Sequence, residues 1–378
     1  MNQAFTLLLP YLQDESLPGN QLSEKQVLCL LVADENLSGA AFTDVGAGTE
    51  VISNRFDIAR MATAADLSTQ FNDFDFSVYP PAHFARICYR ISKERAVVEH
   101  IIDQSLHLLR PGGELILCGA KNEGLKRYAR VAAEYFDSPA ETRKHGSMYT
   151  ARIIKNTSET KSAKPKDHSD YEQMIAVEID DAIAGDAGFN NKLYTKPGSF
   201  GAARIDQGSA MLVAYLEAFF EDFQMPPQSL LDLGCGYGYL TVSAARLGIS
   251  YGMTRIVATD NCAAAIIACR ANIKRLNITA EVIADDCAQG ISETFDAVIC
   301  NPPFHQGFKT DAALSEKFVR AAAEHLTPEG RALFVVNQFV PLEKVASQVF
   351  KSIEVVNKDR SFKLLSMARP MRSLVRRD

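Results

Sequence analysis

Several features that would define a narrow class of protein are missing from this sequence. Its eight cysteines form no CxxC pair, and most of them lie within apolar runs, where a free thiol behaves as a small hydrophobic side chain. The sequence therefore predicts buried, reduced thiols and a reducing compartment, with no metal site and no disulfide framework. Glycine and proline, 22 and 15 of 378 residues, are near average usage, which excludes a collagen-like or other fibrous chain.

Signals for a membrane or for secretion are missing as well. No apolar run approaches the ~18–20 residues that a membrane span needs. The first residues, MNQAFTLLLPYLQDES, carry no basic segment ahead of their apolar stretch, so they are not read as a signal peptide. We expect a cytoplasmic protein without a membrane partner.

An excess of positive charge is the third absence. The chain has 40 Lys+Arg and 46 Asp+Glu, a formal net charge of -6, which argues against coating nucleic acid by bulk charge. A local basic patch remains compatible with this balance, because residues 351–378 hold eight basic and three acidic residues, a net +5. This basic tail is equally compatible with a solvated segment and with phosphate contacts. Its basic residues are Lys351, Lys358, Arg360, Lys363, Arg369, Arg372, Arg376 and Arg377.

The length of the chain leaves room for two or three domains, at roughly 100–200 residues each. Hydrophobic residues make up 47% and charged residues 23%, which is typical of globular proteins and excludes a wholly disordered chain. Segment 156–170 is polar with almost no apolar side chain, so it predicts a linker. The hypothesis is a first domain at 1–155 and a second at 171–378.

The second half alternates short apolar runs with helical patterns, which predicts an α/β fold whose parallel sheet is covered on both faces. The predicted strands are Leu230–Leu233, Arg255–Thr259, Glu281–Ala284, Ala297–Cys300 and Ala332–Val336. The predicted helices are Tyr239–Leu247, Ala263–Leu276 and Phe318–Leu326.

The first half repeats this plan more weakly and indicates an internal duplication. LLRPGGELILCGAKN resembles HLTPEGRALFVVNQF, with Pro111 and Pro328 separated by 217 residues. Tyr79-Pro80-Pro81 resembles Asn301-Pro302-Pro303 at a similar separation, and two landmarks with similar offsets favour duplication over chance recurrence of turns. Asp44-Val45-Gly46-Ala47-Gly48 also looks like a ligand loop. The strand-like pattern of 50–61 after it opens no helix, so we interpret it as a turn.

The strongest motif is the apolar strand and glycine loop from Leu230 to Gly238. Gly234, Gly236 and Gly238 allow a tight turn and a close backbone approach to a ligand, and the helix that follows offers free N–H groups. Asp260 ends the next strand, where a carboxylate can accept hydrogen bonds from ribose hydroxyls. Asp232 would repel a pyrophosphate but suits a cationic amino group. The pattern favours S-adenosylmethionine over a dinucleotide.

Two further acids, Asp285 and Asp286, follow the third predicted strand. An acid in this place can accept a hydrogen bond from an adenine amino group. A solvated loop explains the pair equally well, and the residues alone leave both interpretations open.

The fourth predicted strand ends in Asn301-Pro302-Pro303-Phe304. The two prolines end ladder pairing and leave rigid carbonyls at the carboxyl end of the strand, where ligands sit in open α/β sheets. The Asn301 side chain and the Pro302 carbonyl can accept both hydrogens of a planar amino group, and Phe304 can stack on its ring. This arrangement suits direct methyl transfer to nitrogen, assisted by orientation and electrostatics.

The segment from Asn301 to Gly307 resembles the class I methyltransferases with an NPP[FY] motif, and more narrowly the bacterial ribosomal RNA guanine-N2 methyltransferases. The segments 196–200 and 204–209 resemble the stretch that precedes their catalytic domain, although Pro197-Gly198-Ser199-Phe200-Gly201 departs from the usual PGxFS. The resemblance covers about residues 171–370. It implies two tandem Rossmann-like methyltransferase domains, of which the first is degenerate and helps to hold RNA.

The same resemblance implies functional roles for particular residues. Those that would bind S-adenosylmethionine are Asp232, Gly234, Gly236, Asp260 and Asp286. The residues Asn301 to Phe304 would hold the guanine amine of ribosomal RNA or of a ribosomal subunit. The motif is closer to the small-subunit, 16S branch than to the large-subunit, 23S branch. We expect a monomer.

Three other functions remain open from the motifs alone. Glutamine-amide methyltransferases of release factors share the glycine loop, but usually carry NPPY and a small helical first domain. A DNA adenine-N6 enzyme could use the same tetrapeptide, yet no DNA-reading module is visible. A non-catalytic RNA-binding assembly factor would be expected to have lost the cofactor or amine motif, and both are retained.

Overall fold

The computed structural model describes residues 2–13, 29–156, 171, 173–179, 192–197, 199, 204–303, 305–306, 309–310 and 312–371. The chain divides into two compact units, Met1–Glu172 and Gln173–Asp378. The predicted linker lies outside the described residues apart from Asn156, so its bounds stay a prediction.

The first unit is built on one sheet with helices packed on it. Its helices are α1 (Gln3–Gln13), α2 (Phe56–Ala64), α3 (Arg95–Leu108) and α4 (Leu125–Phe136). Its strands are β1 (Cys29–Ala33), β2 (Thr49–Ser53), β3 (Ser68–Phe71), β4 (Phe84–Arg90), β5 (Leu109–Ala120), β6 (Glu141–His145) and β7 (Met148–Ile154). The strand order is β3-β2-β1-β4-β5-β7-β6, with β7 and β6 antiparallel to their neighbours.

The second unit repeats this plan and adds two small hairpins. Its helices are α5 (Gln207–Glu221), α6 (Tyr239–Ser250), α7 (Ala263–Arg275), α8 (Ala312–Glu324) and α9 (Leu342–Ala346). The strands of its main sheet are β10 (Ser229–Leu233), β11 (Arg255–Asp260), β12 (Glu281–Ala284), β13 (Phe295–Cys300), β16 (Leu326–Asn337), β17 (Phe350–Lys358) and β18 (Phe362–Pro370). The hairpins are β8 (Ile175–Glu178) with β9 (Lys192–Thr195), and β14 (His305–Gln306) with β15 (Lys309–Thr310).

The predicted α/β class is confirmed, but the sheet is mixed rather than wholly parallel. The order β12-β11-β10-β13-β16-β18-β17 places two antiparallel strands at one edge. These strands use residues 350–370, so the interpretation of this segment as a basic tail is wrong. Lys363 is buried in β18 and pairs with Glu343 on α9. The other described basic residues, Lys351, Lys358, Arg360 and Arg369, are exposed. Arg372, Arg376 and Arg377 lie outside the described residues.

The core explains why the strands of the second unit are continuous apolar runs. Leu230 packs in the cluster on one face of the sheet, and Leu231 and Leu233 pack in the cluster on the other. A parallel sheet covered on both faces needs this pattern. Seven of the eight cysteines are buried free thiols, as predicted. Within the described ranges, no helix is long and apolar enough to cross a membrane.

The identical strand order of the two sheets confirms the predicted duplication. The Pro111/Pro328 correspondence is correct, because β5 and β16 have the same length and the same 217-residue offset. The Tyr79-Pro80-Pro81 correspondence is wrong: that segment precedes β4, whereas Asn301 follows β13. A shared sequence offset does not reveal at which end of a strand a motif lies.

The glycine-containing segment 44–48 is a turn, as predicted, and leads into β2. The strand-like interpretation of 50–61 is correct only as far as Ser53. Helix α2 begins at Phe56 and buries Ile58, Ala59 and Ala62 on one face. Apolar residues at this spacing fit a helix as well as they fit a short strand.

Candidate active site

The glycines of the loop share a backbone conformation but differ in their surroundings. All adopt positive φ, where a side chain is strained: +84° at Gly234, +55° at Gly236 and +90° at Gly238. A Cβ at Gly238 would lie 2.8 Å from Cys269 Sγ on α7, so this glycine allows close helix packing. A Cβ at Gly236 would meet no atom of the described residues within 4 Å, which leaves open space beside the loop for a ligand.

Asp232 lies in β10 beneath the loop and is fully buried. Its Oδ2 accepts a hydrogen bond from Thr241 Oγ1 at 2.5 Å, while its Oδ1 is buried and has no partner among the residues that the structure describes. Burial, with a smaller contribution from the nearby Asp260 carboxylate, raises the pKa of this carboxyl to about 7, although the hydrogen bond from Thr241 acts in the opposite direction. An unpaired buried carboxylate oxygen fits a cationic amino group, reached directly or through a water molecule.

Asp260, at the end of β11, fixes the loop. Its Oδ2 accepts a hydrogen bond from the Gly236 amide at 2.9 Å, and its Oδ1 accepts one from the Cys262 amide at 2.8 Å. Each carboxylate oxygen has a further lone pair, so the group can also accept from ligand hydroxyls. Its position at the carboxyl edge of the sheet, next to the open side of Gly236, is consistent with the predicted role.

Asp285 and Asp286 have different environments, which the sequence did not separate. Asp285 accepts hydrogen bonds from the amides of Asp286 and Gly290 at 2.6 and 2.8 Å, so both of its oxygens stabilise its own turn. Asp286 pairs instead with Lys317 Nζ on α8. Sequence reasoning missed Lys317, whose partner lies 31 positions away along the chain.

Asn301 follows the last residue of β13 and uses its amide nitrogen within the protein. Nδ2 donates to Asp206 Oδ2 and to Ser209 Oγ, both at 2.8 Å. Among the described residues, no donor reaches its Oδ1, which can therefore accept from a substrate. Pro302 is buried and Pro303 is half-buried. Phe304 lies outside the described residues.

One cavity of the second unit brings several of these groups together. It is lined by loop residues 234–236, by Asn301, and by Asp206 and Ser209, with Tyr237 and Tyr239 on its wall. Four residues predicted to bind the cofactor, Asp232, Gly238, Asp260 and Asp286, are not among its lining residues. Asp206 and Ser209 were missed as site residues, although an Asp placed three positions before a Ser at the start of an apolar helix is a capping signal.

The first sheet carries different side chains at the corresponding positions. The pairing register shifts once in each sheet, after Phe84 in β4 and after Phe295 in β13, and matching these two shifts aligns the strands of the two sheets. By this register Arg90 corresponds to Asn301. The register of β1 and β2 likewise places Leu31 at the position of Asp232 and Ser53 at that of Asp260.

Arg90 cannot accept hydrogen bonds from an amine, because a guanidinium has only donors. It is buried and forms an ion pair with Glu123 at 2.7 Å. The position that corresponds to Asp286 is Asp73, which accepts a 2.5 Å hydrogen bond from the Tyr171 hydroxyl. In the first unit, the counterparts of Asn301, Asp232 and Asp260 are therefore replaced, whereas the aspartate that corresponds to Asp286 is retained and bonds to Tyr171.

Comparison with known proteins gives matches over both halves of the chain. Residues 190–366 match the family model "Methyltransferase small domain", and residues 19–165 match its N-terminal counterpart. The chain is similar to the ribosomal RNA small subunit methyltransferase C of two Pseudomonas aeruginosa strains. In one it is 32% identical over 251 residues, with 66% of this chain and 69% of the relative covered, and in the other 31% over 280 residues, with 73% and 77% covered.

Among solved structures, the chain is similar to the T. thermophilus 16S rRNA N2 G1207 methyltransferase, determined in complex with AdoMet and guanosine. The TM-score is 0.74 at 20% identity, with 97% of this chain and 91% of that chain covered. At this identity the likeness establishes the fold, including its two tandem domains.

Proposed function

The chain belongs to the ribosomal RNA small subunit methyltransferase C family, and on this premise we propose that its second unit methylates the exocyclic N2 amine of a guanine in 16S rRNA. S-adenosylmethionine is the methyl donor. The T. thermophilus relative is named for guanine 1207 of 16S rRNA, and we propose the equivalent guanine as the target here.

The observation that carries the proposed mechanism is the orientation of Asn301. Its Nδ2 is committed to Asp206 and Ser209, so its Oδ1 is the atom left for the substrate. With the Pro302 carbonyl, Oδ1 can accept the two hydrogens of the guanine amine. This pairing draws electron density towards the nitrogen and fixes the direction of its lone pair.

The residues present fit the cofactor at three points. The unpaired Oδ1 of Asp232 suits the cationic amino group, Asp260 suits the ribose hydroxyls, and Asp286 is proposed to accept from the adenine amine. When bound, S-adenosylmethionine supplies an electrophilic methyl group. The chain needs no strong base before transfer, because the methylated nitrogen can release its proton to solvent afterwards.

We propose an RNA-holding role for the first unit, residues 1–155 in the predicted division, with 156–170 as linker and 171–378 as the catalytic domain. Two observations support this role: the residues that correspond to Asn301, Asp232 and Asp260 are replaced, and the unit carries exposed cations on α4 and β6 that can contact phosphate. These cations include Lys126, Arg130, Arg143 and Lys144. Since the substrate is rRNA or a subunit, we place the enzyme in the cytoplasm.

The proposal is tested by substituting Asn301. Asn301→Ala should reduce incorporation of tritiated methyl groups into 16S rRNA or small subunits from a strain that lacks the enzyme to a small residual rate, with S-adenosylmethionine affinity unchanged by calorimetry. Asn357→Ala, at an exposed position of β17, is the matched control and should retain full activity.

Two outcomes would contradict the proposal. Near-normal methylation by Asn301→Ala would refute the role of the amide. Methyl groups mapped to 23S rRNA, or no cofactor binding by the unaltered protein, would refute the substrate or the enzymatic function respectively.

A further inference from the structure

We infer that Asp206 is a positioning residue for the methyl transfer: its carboxylate sets the orientation of the Asn301 amide and increases the negative charge on Asn301 Oδ1. The inference rests on the proposed function, in which Oδ1 accepts from the guanine amine. It assigns to Asp206 an effect on the reaction that is exerted wholly through Asn301.

The orientation of the amide follows from what a carboxylate can do. Asp206 Oδ2 only accepts hydrogen bonds, so the atom of Asn301 that faces it at 2.8 Å must be the donor Nδ2. Ser209 Oγ accepts the second hydrogen of the same nitrogen at 2.8 Å. With both hydrogens engaged, a rotation that exchanged Nδ2 and Oδ1 would place a carbonyl oxygen against a carboxylate. Asn301 therefore presents an acceptor to the substrate, not a donor.

The local sequence explains how the carboxylate reaches this place. Asp206 is the N-cap of α5, and its Oδ2 also accepts from the Ser209 amide at 2.8 Å. A Cβ at Gly208 would lie 3.0 Å from that same oxygen, so the glycine leaves the cap room to fold over the first turn. One oxygen thus joins the helix start to the end of β13, across 95 residues of sequence.

The charge of Asp206 matters because of how charge changes in the reaction. The lone pair of guanine N2 forms the new bond to carbon, the carbon–sulfur bond breaks with its electrons moving to sulfur, and the nitrogen becomes positive until its proton leaves to solvent. A carboxylate on Nδ2 polarises the amide and makes Oδ1 a stronger acceptor for that positive amine. Such prearranged charge stabilises the transition state more than the ground state.

Asp206→Asn isolates the charge from the geometry. Asparagine is as good an N-cap as aspartate, and its carbonyl oxygen can accept from both the Ser209 amide and Asn301 Nδ2. We expect kcat to fall about 10- to 100-fold. The KM for RNA, the affinity for S-adenosylmethionine and the melting temperature should stay close to those of the unaltered protein. Ser209→Ala, which keeps the charge and the capping amide, should cost less than about tenfold in kcat.

The matched control is Asp222→Asn at the other end of α5, about 22 Å away for 15 helical residues. Asp222 carries the same charge and pairs with Arg331, so this variant changes net charge equally without touching the site. It should methylate normally. A fall in kcat equal to that of Asp206→Asn would show a general charge effect and overturn the inference.

A double-mutant cycle gives a readout that loss of structure would not imitate. In the Asn301→Ala background, adding Asp206→Asn should leave the residual rate unchanged, because the effect passes through the amide. An added loss of rate, a kcat for Asp206→Asn within twofold of normal, or a joint loss of cofactor affinity and melting temperature would each overturn the inference. If Asn301→Ala itself methylates normally, the proposed function fails first, which separates the two failures.

Discussion

The Thr241 hydroxyl donates a 2.5 Å hydrogen bond to Asp232 Oδ2 beneath the glycine loop, while Asp232 Oδ1 is buried with no partner in the described part of the chain. One half of the carboxylate is thus fixed by the protein, and the other half remains for a ligand. Because burial raises the pKa of this group to about 7, its charge is lost in the range where the enzyme would be assayed.

The first prediction concerns the pH dependence of cofactor binding. A cationic amino group binds the ionised form of Asp232, so binding must release the proton that the raised pKa retains. Once the titration of the cofactor's own amino group is subtracted, the affinity for S-adenosylmethionine should therefore rise about tenfold between pH 6 and pH 8 and level off above that range. Calorimetry at several pH values in buffers of different ionisation enthalpy measures both the affinity and the released proton.

Asp232→Asn is the control for this titration. The variant should bind S-adenosylmethionine weakly at all pH values, and its affinity should not rise between pH 6 and pH 8. Any pH dependence that remains in this variant comes from titration of the cofactor itself. A pH profile equal in both proteins would contradict the assignment to Asp232.

The second prediction separates two glycines of one loop. Gly238→Ala should lower the free energy of unfolding by about 2–4 kcal/mol, because it combines a strained positive φ with a contact to Cys269 Sγ at 2.8 Å. Gly236→Ala should cost only about 1–2 kcal/mol, since its Cβ meets open space. It should still weaken cofactor binding more than about tenfold, because that space lies in the site.

Gly252→Ala is the matched control for backbone strain. Gly252 has a φ of +74° and lies outside the cavity, so alanine there should reproduce the strain alone and leave cofactor affinity unchanged. If the Gly236 and Gly252 variants changed the affinity for S-adenosylmethionine equally, the proposed contact between the Gly236 loop and the cofactor would be ruled out. Chemical unfolding and calorimetry provide the measurements.

The third prediction assigns different roles to two adjacent acids. Asp285→Ala leaves the amides of Asp286 and Gly290 without their acceptors and should lower the free energy of unfolding by about 1–3 kcal/mol. Asp286→Ala should instead weaken S-adenosylmethionine about 10-fold or more, with a smaller change in stability. Each variant serves as the control for the other. If Asp285→Ala weakened cofactor binding and Asp286→Ala lowered stability, Asp285 rather than Asp286 would be the residue that contacts the adenine.

The fourth prediction concerns the first unit. Calorimetry should give one cofactor per chain, because Leu31 and Ser53 occupy the positions that correspond to Asp232 and Asp260. Arg90→Asn restores an amide at the position of Asn301, yet it should restore no methylation in the Asn301→Ala protein. It should also destabilise the first unit by about 3 kcal/mol, because Glu123 loses its buried partner.

Arg130→Asn, which removes an exposed cation of α4, is the control for charge and should leave stability unchanged. A second bound cofactor in the unaltered protein, or methylation recovered by Arg90→Asn, would show that the first unit retains a working site.

Much of the fold and site could be predicted because the signals are local. The glycine loop and the Asn301-Pro302-Pro303 turn each depend on residues adjacent in sequence, and strands buried on both faces must be continuous apolar runs. The resemblance of these motifs to a methyltransferase family was enough to indicate the reaction. The repeat around Pro111 and Pro328 was also visible, because both copies keep the same turn ahead of the same strand.

The tertiary structure decided what depends on register and on distant partners. The sequence by itself determined the fold class, and it was enough to predict a cofactor loop and an amine acceptor, since these motifs depend on short-range spacing. Only the folded sheet showed that Arg90, not Tyr79, corresponds to Asn301, because sequence offset carries no information about the end of a strand. Only the packed structure showed that Asp206 contacts Asn301 and that Asp285 and Asp286 have different partners. Hydrogen bonds of this kind leave no periodic signal in the sequence, so sequence reasoning could not find them.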